Sequence, residues 1–406
     1  MARLPVKNIH EIAVLGAPIC STAPAWEVLL AASRADATDG ELDRLRELLG
    51  KVSIERNFEW ANLLGMADDH GTSALLNRNL SRMGEVVPVE VLEKLRQRYE
   101  LNVHKSLFLA RELIRILDCV DGLGANAVCY KGIALSEIYY GDMALRQAGD
   151  IDLFIRKRDV GRVKDAVGRL GFTSRVPIPP AAEEDYIASG YEWSFDCAAG
   201  RGLLELQWAL QPNFYAVDFE MEGLFERAMS AEVAGRSVKI PTAEDWLLVL
   251  SLHAAKHVWA RLIWLCDIVQ ILKRENLDWD CVRGQARELG IERILRVTVL
   301  LGERLLAGAI PAGIEQWVRA DPAAESFADE IGEALASGVS YDVQQVSYFR
   351  LMMRLRERRV DRWRFFTRLA FTPGPGEWEA VRLPKVLFPL YRVVRLGRLA
   401  GRMVRG

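Results

Sequence analysis

The sequence predicts an α+β protein, a mixed β-sheet core set between helical regions. Three observations predict it. From about residue 25 to residue 120, apolar residues recur every three or four positions. Between residues 125 and 208 that period gives way to short runs of strand length separated by breakers. At Pro241 the helical period returns. A chain of 406 residues, half of them hydrophobic, is long enough for two or three packed units. The expected units are an N-terminal helical region (1–120), a core carrying the site (121–235), a helical domain (236–345) and an arginine-rich helical tail (346–406).

Each element follows from its residues. Glu41 to Leu49 carries leucines at helical spacing. Ser53 with Arg56 and Glu59 is read as opening another helix, with Phe58, Leu63 and Leu64 as its apolar stripe. Pro88 starts a long helix through Leu117, with Leu92, Leu95, Tyr99 and Val103 on one face. Asp121-Gly-Leu-Gly124 breaks it. Ala125 to Tyr130 is a strand, Lys131-Gly132 a turn, and a helix follows to Tyr139. Gly149 to Ile155 is the next strand and Arg158 to Leu170 a helix. Phe172 to Val176, Tyr191 to Asp196 and Leu203 to Trp208 are further strands, with a proline-rich loop from Pro177 to Glu184 among them. Thr242 caps a helix through a capping-box variant with Asp245, and Arg261 to Leu272 forms another.

Composition narrows the function. The net charge of −2 gives no general reason for a nucleic-acid partner. No run reaches the roughly 18 apolar residues of a spanning helix, so stable membrane insertion is not expected. Ile12 to Ile19 follows Arg3 and Lys7, but His10 and Glu11 stand at its start and no small-residue cleavage site follows, so it is not read as a signal peptide. The six cysteines are scattered without CxxC spacing, which disfavours zinc or disulfides and suits a reduced, cytoplasmic protein.

The chemistry centres on Lys131-Gly132, Arg146 and Gly149-Asp-Ile-Asp-Leu-Phe-Ile155. Asp150 and Asp152 are two apart in a strand and project from one face. Two hard oxygen ligands side by side suit Mg²⁺. Gly132 lets the backbone approach a phosphate at the start of a helix, whose N-terminus offers free N–H groups. Glu205 is the natural third carboxylate. It lies on an alternating strand, with Gln207 on its face and Leu204, Leu206 and Trp208 opposite.

The order strand, glycine turn, helix, GDxD strand resembles the nucleotidyltransferase superfamily of the DNA polymerase β-like fold. Lys131-Gly-Ile-Ala-Leu135, Tyr140-Gly141, Arg146 and Gly149-Asp-Ile-Asp-Leu153 resemble more closely its uncharacterised bacterial nucleotidyltransferase family. Glu205, Gln207 and Trp208, His253, His257, Arg261, Trp264-Leu-Cys-Asp267, Asp69-His-Gly71 and the arginine-rich C-terminus extend the likeness. The departure is Gln207, where relatives commonly carry histidine. The resemblance implies Asp150, Asp152 and Glu205 as catalytic metal ligands for two Mg²⁺ ions, a nucleoside triphosphate donor with ATP foremost, and pyrophosphate release. Lys131, Gly132 and Arg146 would meet phosphate, and Arg146 could otherwise pair with Asp142 or the site aspartates.

His253 and His257 stand four apart, but residue 254 is alanine, so HExxH is absent. They read as packing or as a cleft wall that Arg261 extends, and His257 with Arg261 are candidate nucleotide contacts. Asp267 is a candidate partner for Arg261 across the turn, or balances local charge. The tail, with arginines and interleaved aromatics, suits nucleic acid, an anionic membrane surface or a helix pair packed on the core. The acceptor is open among small molecule, peptide and RNA. An RNA-modifying or toxin-like enzyme and a non-catalytic binding module are the alternatives.

Overall fold

A computed structural model describes residues 23–54, 58–176, 178–197, 203–339, 341, 345–372, 381, 383, 387 and 390–405. The apolar stretch at Ile12 to Ile19, Arg56, Pro177 and the Pro-Gly-Pro-Gly of the tail lie outside the described residues. The architecture is α+β, as the sequence predicts.

The N-terminal helices are α1 (Ala23–Ala32), α2 (Asp39–Ile54), α3 (Trp60–His70), α4 (Ser73–Leu80) and α5 (Val89–Gly122). Ser53 does not open a helix. It lies in the last turn of α2, and α3 starts only at Trp60. The long helix α5 buries Val91, Leu95, Leu109, Leu113, Ile116 and Val120, a stripe at helical spacing that faces the core.

The sheet comprises β1 (Ala127–Cys129), β2 (Asp150–Ile155), β3 (Thr173–Ser174), β4 (Glu192–Asp196), β5 (Leu203–Gln207), β6 (Met229–Val233) and β7 (Arg236–Ile240), in the order β3-β4-β5-β2-β1-β7-β6. β2 runs parallel to β5 and β1 parallel to β7, and the other pairs are antiparallel. Only two of the five residues read as a strand at Phe172 to Val176 pair. The hairpin β6–β7 escaped the sequence reading, and β7 lies past residue 235, where the core was expected to end. Ala234 and Gly235 both have positive φ, the two-residue turn that matches strand twist in a hairpin.

α6 (Gly132–Tyr140) and α7 (Val160–Arg169) connect the first strands, and α8 (Glu183–Ser189) and α9 (Met221–Arg227) follow later. Beyond the sheet come α10 (Ala243–Lys256), α11 (Leu262–Arg274), α12 (Trp279–Leu289), α13 (Glu292–Leu306), α14 (Glu315–Arg319), α15 (Pro322–Ala336), α16 (Val346–Arg354), α17 (Arg359–Phe371) and α18 (Tyr391–Arg405). Thr242 caps α10 as expected, its hydroxyl accepting from the Asp245 N–H at 3.2 Å. α10 is buried on nearly every side and reaches the sheet through Trp246, whose Nε1 donates to the Tyr130 carbonyl at 2.5 Å. Among the described residues no helix is long and apolar enough to cross a membrane.

Candidate active site

The parallel pairing of β2 with β5 puts Asp152 directly opposite Glu205. Asp150 shares their face by the two-residue period of a strand. Asp150, Asp152 and Glu205 thereby bring one carboxylate oxygen each to within 4.8 Å of one another. Asp152 is buried, while Asp150 and Glu205 keep partial access to solvent. Burial and the neighbouring Asp152 push Asp150 up to about 7. Burial, then Glu192, Asp152 and Asp150, push Glu205 well above the usual carboxylate range. Burial disfavours the charged form of each carboxyl, and a second negative charge beside the first disfavours it further.

Lys131 is a cation in contact with this cluster. Its Nζ donates to Asp152 Oδ1 at 3.1 Å and lies 4.8 Å from the Tyr130 ring centroid. Burial alone would lower its pKa, but Asp152, Glu205 and Asp150 outweigh that and raise it. The next residue, Gly132, starts α6 with φ +58°, and a Cβ there would stand 3.1 Å from the Asp150 carbonyl oxygen. Glycine is needed both for the left-handed backbone and for the close approach of the helix start to β2.

A second layer of polar groups holds Glu205. The Gln207 Nε2 donates to Glu205 Oε2 at 3.1 Å and to Glu192 Oε2 at 3.3 Å, and the Gln207 Oε1 accepts from the Tyr130 hydroxyl at 2.6 Å. The Tyr130 ring stacks on Phe154 at 3.9 Å between centroids. Glu192 faces Gln207 across the β4–β5 pair. The Tyr191 hydroxyl donates to its Oε1 at 2.5 Å, and Lys256 Nζ donates to that hydroxyl at 3.4 Å. Sequence reasoning missed Glu192. Its signal was the alternation of Glu192 and Ser194 against Trp193 and Phe195, but only the register reveals that it borders the cluster.

Arg146 takes a partner other than those the sequence suggested. It is 5% exposed, and it grips Asp267 with Nε to Oδ1 at 2.9 Å and Nη2 to Oδ2 at 2.9 Å. The Tyr140 hydroxyl donates to the same carboxylate at 2.7 Å. Arg146 thus pairs with neither Asp142 nor the site aspartates, and Asp267 does not pair with Arg261. The ion pair ties the segment ahead of β2 to α11.

The single helical face expected through His253, His257 and Arg261 is broken. α10 ends at Lys256, and Val258 and Trp259 have positive φ, so the chain turns between His257 and Arg261 instead of continuing one helical face. Arg261 is the N-cap residue of α11. His253, His257 and Trp264 cluster with ring centroids 5.0 to 5.3 Å apart. Burial and then the Lys131 charge depress the His253 pKa well below its ordinary value. From the Asp69-His-Gly71 stretch, His70 Nδ1 accepts from the Leu262 N–H at 3.4 Å. Burial and the Arg261 charge bring the His70 pKa down to about 4.

Comparison with known proteins agrees with this geometry. The family model described as "Uncharacterised nucleotidyltransferase" matches residues 56–307, more than half of the chain and β1 to β7. No curated protein and no solved structure matches the chain. From the acidic strand pair, the glycine-started helix and this match together, the chain belongs to the uncharacterised nucleotidyltransferase family.

Proposed function

We propose that the protein transfers a nucleoside monophosphate from a nucleoside triphosphate, ATP foremost, to an acceptor, releasing pyrophosphate. The observation that carries this reading is the convergence of Asp150, Asp152 and Glu205 within 4.8 Å, beside a helix that begins at Gly132. The donor set fits Mg²⁺. It consists of hard oxygens, and its three carboxylates, when ionised, carry more negative charge than Lys131 neutralises, the mutual repulsion that helps raise Asp150 and Glu205 in pKa. When bound, Mg²⁺ neutralises the triphosphate and the entering and leaving oxygens, for which two ions are expected.

The chain's own residues supply the rest. Asp150 and Asp152 present the donor oxygens from β2. Glu205 completes the set and is our choice to receive the acceptor's proton as the acceptor oxygen bonds to the α-phosphorus and the bond to pyrophosphate breaks. Gln207 fixes the Glu205 carboxylate through its 3.1 Å hydrogen bond. Lys131 and the N-terminus of α6 favour phosphate near the cluster. Arg146 acts through its charge and through the position it gives Asp267, since its fork is engaged. His257 and Arg261 are proposed to border the nucleotide. The cytoplasm is the proposed location.

The test is incubation of the purified protein with Mg²⁺ and each α-labelled nucleoside triphosphate in the presence of cell extract. Label should move to an acceptor with release of pyrophosphate, and Asp150→Asn with Asp152→Asn should abolish it. Transfer retained in that folded double variant would refute the assignment. Nucleotide binding without turnover would leave a binding module.

A further inference from the structure

The C-terminal helices carry a surface that nucleotide transfer does not explain. Residues 346–406 hold fifteen lysines and arginines against four acids. That segment is therefore +11, and the remainder of the chain, which totals −2, is −13. The basic segment also concentrates exposed apolar side chains. Trp363 is 65% exposed, Phe366 52%, Val393 62% and Leu396 41%.

One side of this unit is docked. Phe365 is buried, with its ring 6.3 Å from that of Tyr215, and Arg356 Nη2 donates to the Tyr215 carbonyl at 2.8 Å. Arg368 pairs with Asp218 at 2.6 Å. On α18, Tyr391 and Arg395 are buried, and Arg395 Nε donates to the Leu369 carbonyl at 3.1 Å. Val393 and Leu396 meanwhile face out. A helix on an ordinary water-facing surface buries valine and leucine and exposes arginine. At these positions α18 does the reverse, and α17 adds Trp363 and Phe366 beside exposed Arg362 and Arg364.

We propose that the outer faces of α17 and α18 adsorb to an anionic membrane surface, lying in the headgroup layer without crossing it. Apolar side chains entering the interface and arginines at anionic headgroups are the two contributions that together hold an amphipathic helix at a membrane surface. The exposed aliphatics favour lipid over nucleic acid, because valine and leucine offer no ring on which a base can stack. Trp363 and Phe366 already stack on each other, 6.0 Å between centroids at 29°. A second copy of the chain would bring one strongly cationic segment against another, which charge repulsion opposes.

The test is flotation of the full chain with vesicles of phosphatidylcholine alone or mixed with phosphatidylglycerol, at salt from about 0.1 M to about 0.5 M. Binding should require phosphatidylglycerol and weaken with salt. Val393→Asp with Leu396→Asp should lower the partition coefficient about tenfold or more, and each of Arg362→Gln, Arg364→Gln and Arg392→Gln about fivefold. Trp363→Ser with Phe366→Ser provides an independent loss on α17, and the thermal melt and circular dichroism spectrum of each variant should match those of the wild type. Absence of binding to anionic vesicles, equal binding to phosphatidylcholine, or unchanged binding in both folded apolar variants would overturn the proposal. So would single-stranded RNA that outcompetes the vesicles, or a dimer that Val393→Asp with Leu396→Asp dissociates.

Discussion

Replacing Asp150 by asparagine should stabilise the protein when no metal is present. Asp150 is pushed from 3.8 up to about 7 by burial and by Asp152. A tenfold change in proton affinity is worth about 1.4 kcal/mol, so this rise sets a ceiling of about 4 kcal/mol. The partial solvent access of Asp150 trims this to about 2–4 kcal/mol. The sign follows from linkage. A carboxyl whose folded value lies above its unfolded one contributes stability in full below about pH 4. That contribution is lost as the pH rises to about 7. Asparagine occupies the same volume without a charge and escapes the loss. In a chelator, the urea midpoints of wild type and Asp150→Asn should coincide near pH 4 and diverge by pH 8, with the variant more stable. Added Mg²⁺ should then raise the melting temperature of the wild type and leave the variant unmoved. The reasoning fails if the variant is the less stable protein at pH 8 in chelator, or if the difference between the two does not change with pH.

Arg146→Met should leave Asp267 buried without its cation and cost about 3–5 kcal/mol in urea unfolding, and Arg146→Met with Asp267→Leu should recover most of that loss. Gly132→Ala forces an L residue to φ +58° and sets a Cβ 3.1 Å from the Asp150 carbonyl. It should cost about 1–2 kcal/mol and lower kcat for transfer, whereas unchanged stability and turnover would mean that the helix start need not touch β2. Gln207→Leu removes the donor shared by Glu205 and Glu192, and it should lower kcat with little change in KM for the nucleotide; a loss confined to KM would assign Gln207 to nucleotide binding.

The sequence made the main elements legible where one local signal dominated. Pro88 and a long stripe mark α5, Thr242 with Asp245 marks α10, and the breaker at residues 121–124 ends the first helical region. Ser53 misled because serine stands in the last turn of a helix as well as at its N-cap, and α2 runs on to Ile54. The hairpin β6–β7 was hidden for a different reason. Met229–Val233 is largely exposed, with only Val233 buried, so no apolar alternation announces it, and its turn uses Ala234 where asparagine or glycine is the common signal. At the α10–α11 turn, four-residue spacing suggested a continuous helical face. The left-handed residues Val258 and Trp259 carry no glycine to give the break away.

The site divides along the same line between local pattern and long-range register. Asp150 and Asp152 need only the two-residue period to share a face, so they were readable. Glu205 joins them because β5 runs parallel to β2 in the register that sets it opposite Asp152, and a slip of one residue would turn it to the other face of the sheet. Gln207 is informative only after that register is known. One amide nitrogen carries two N–H donors and serves two carboxylates, while its carbonyl accepts from Tyr130. A neutral imidazole at this position has one donor and one acceptor and would leave one of the two acids unserved. Glutamine therefore suits a site in which Glu192 and Glu205 stand side by side. The pairing of Glu192 with Gln207 across β4 and β5, and not the bare residue types, is what gives the amide at position 207 two carboxylates to serve.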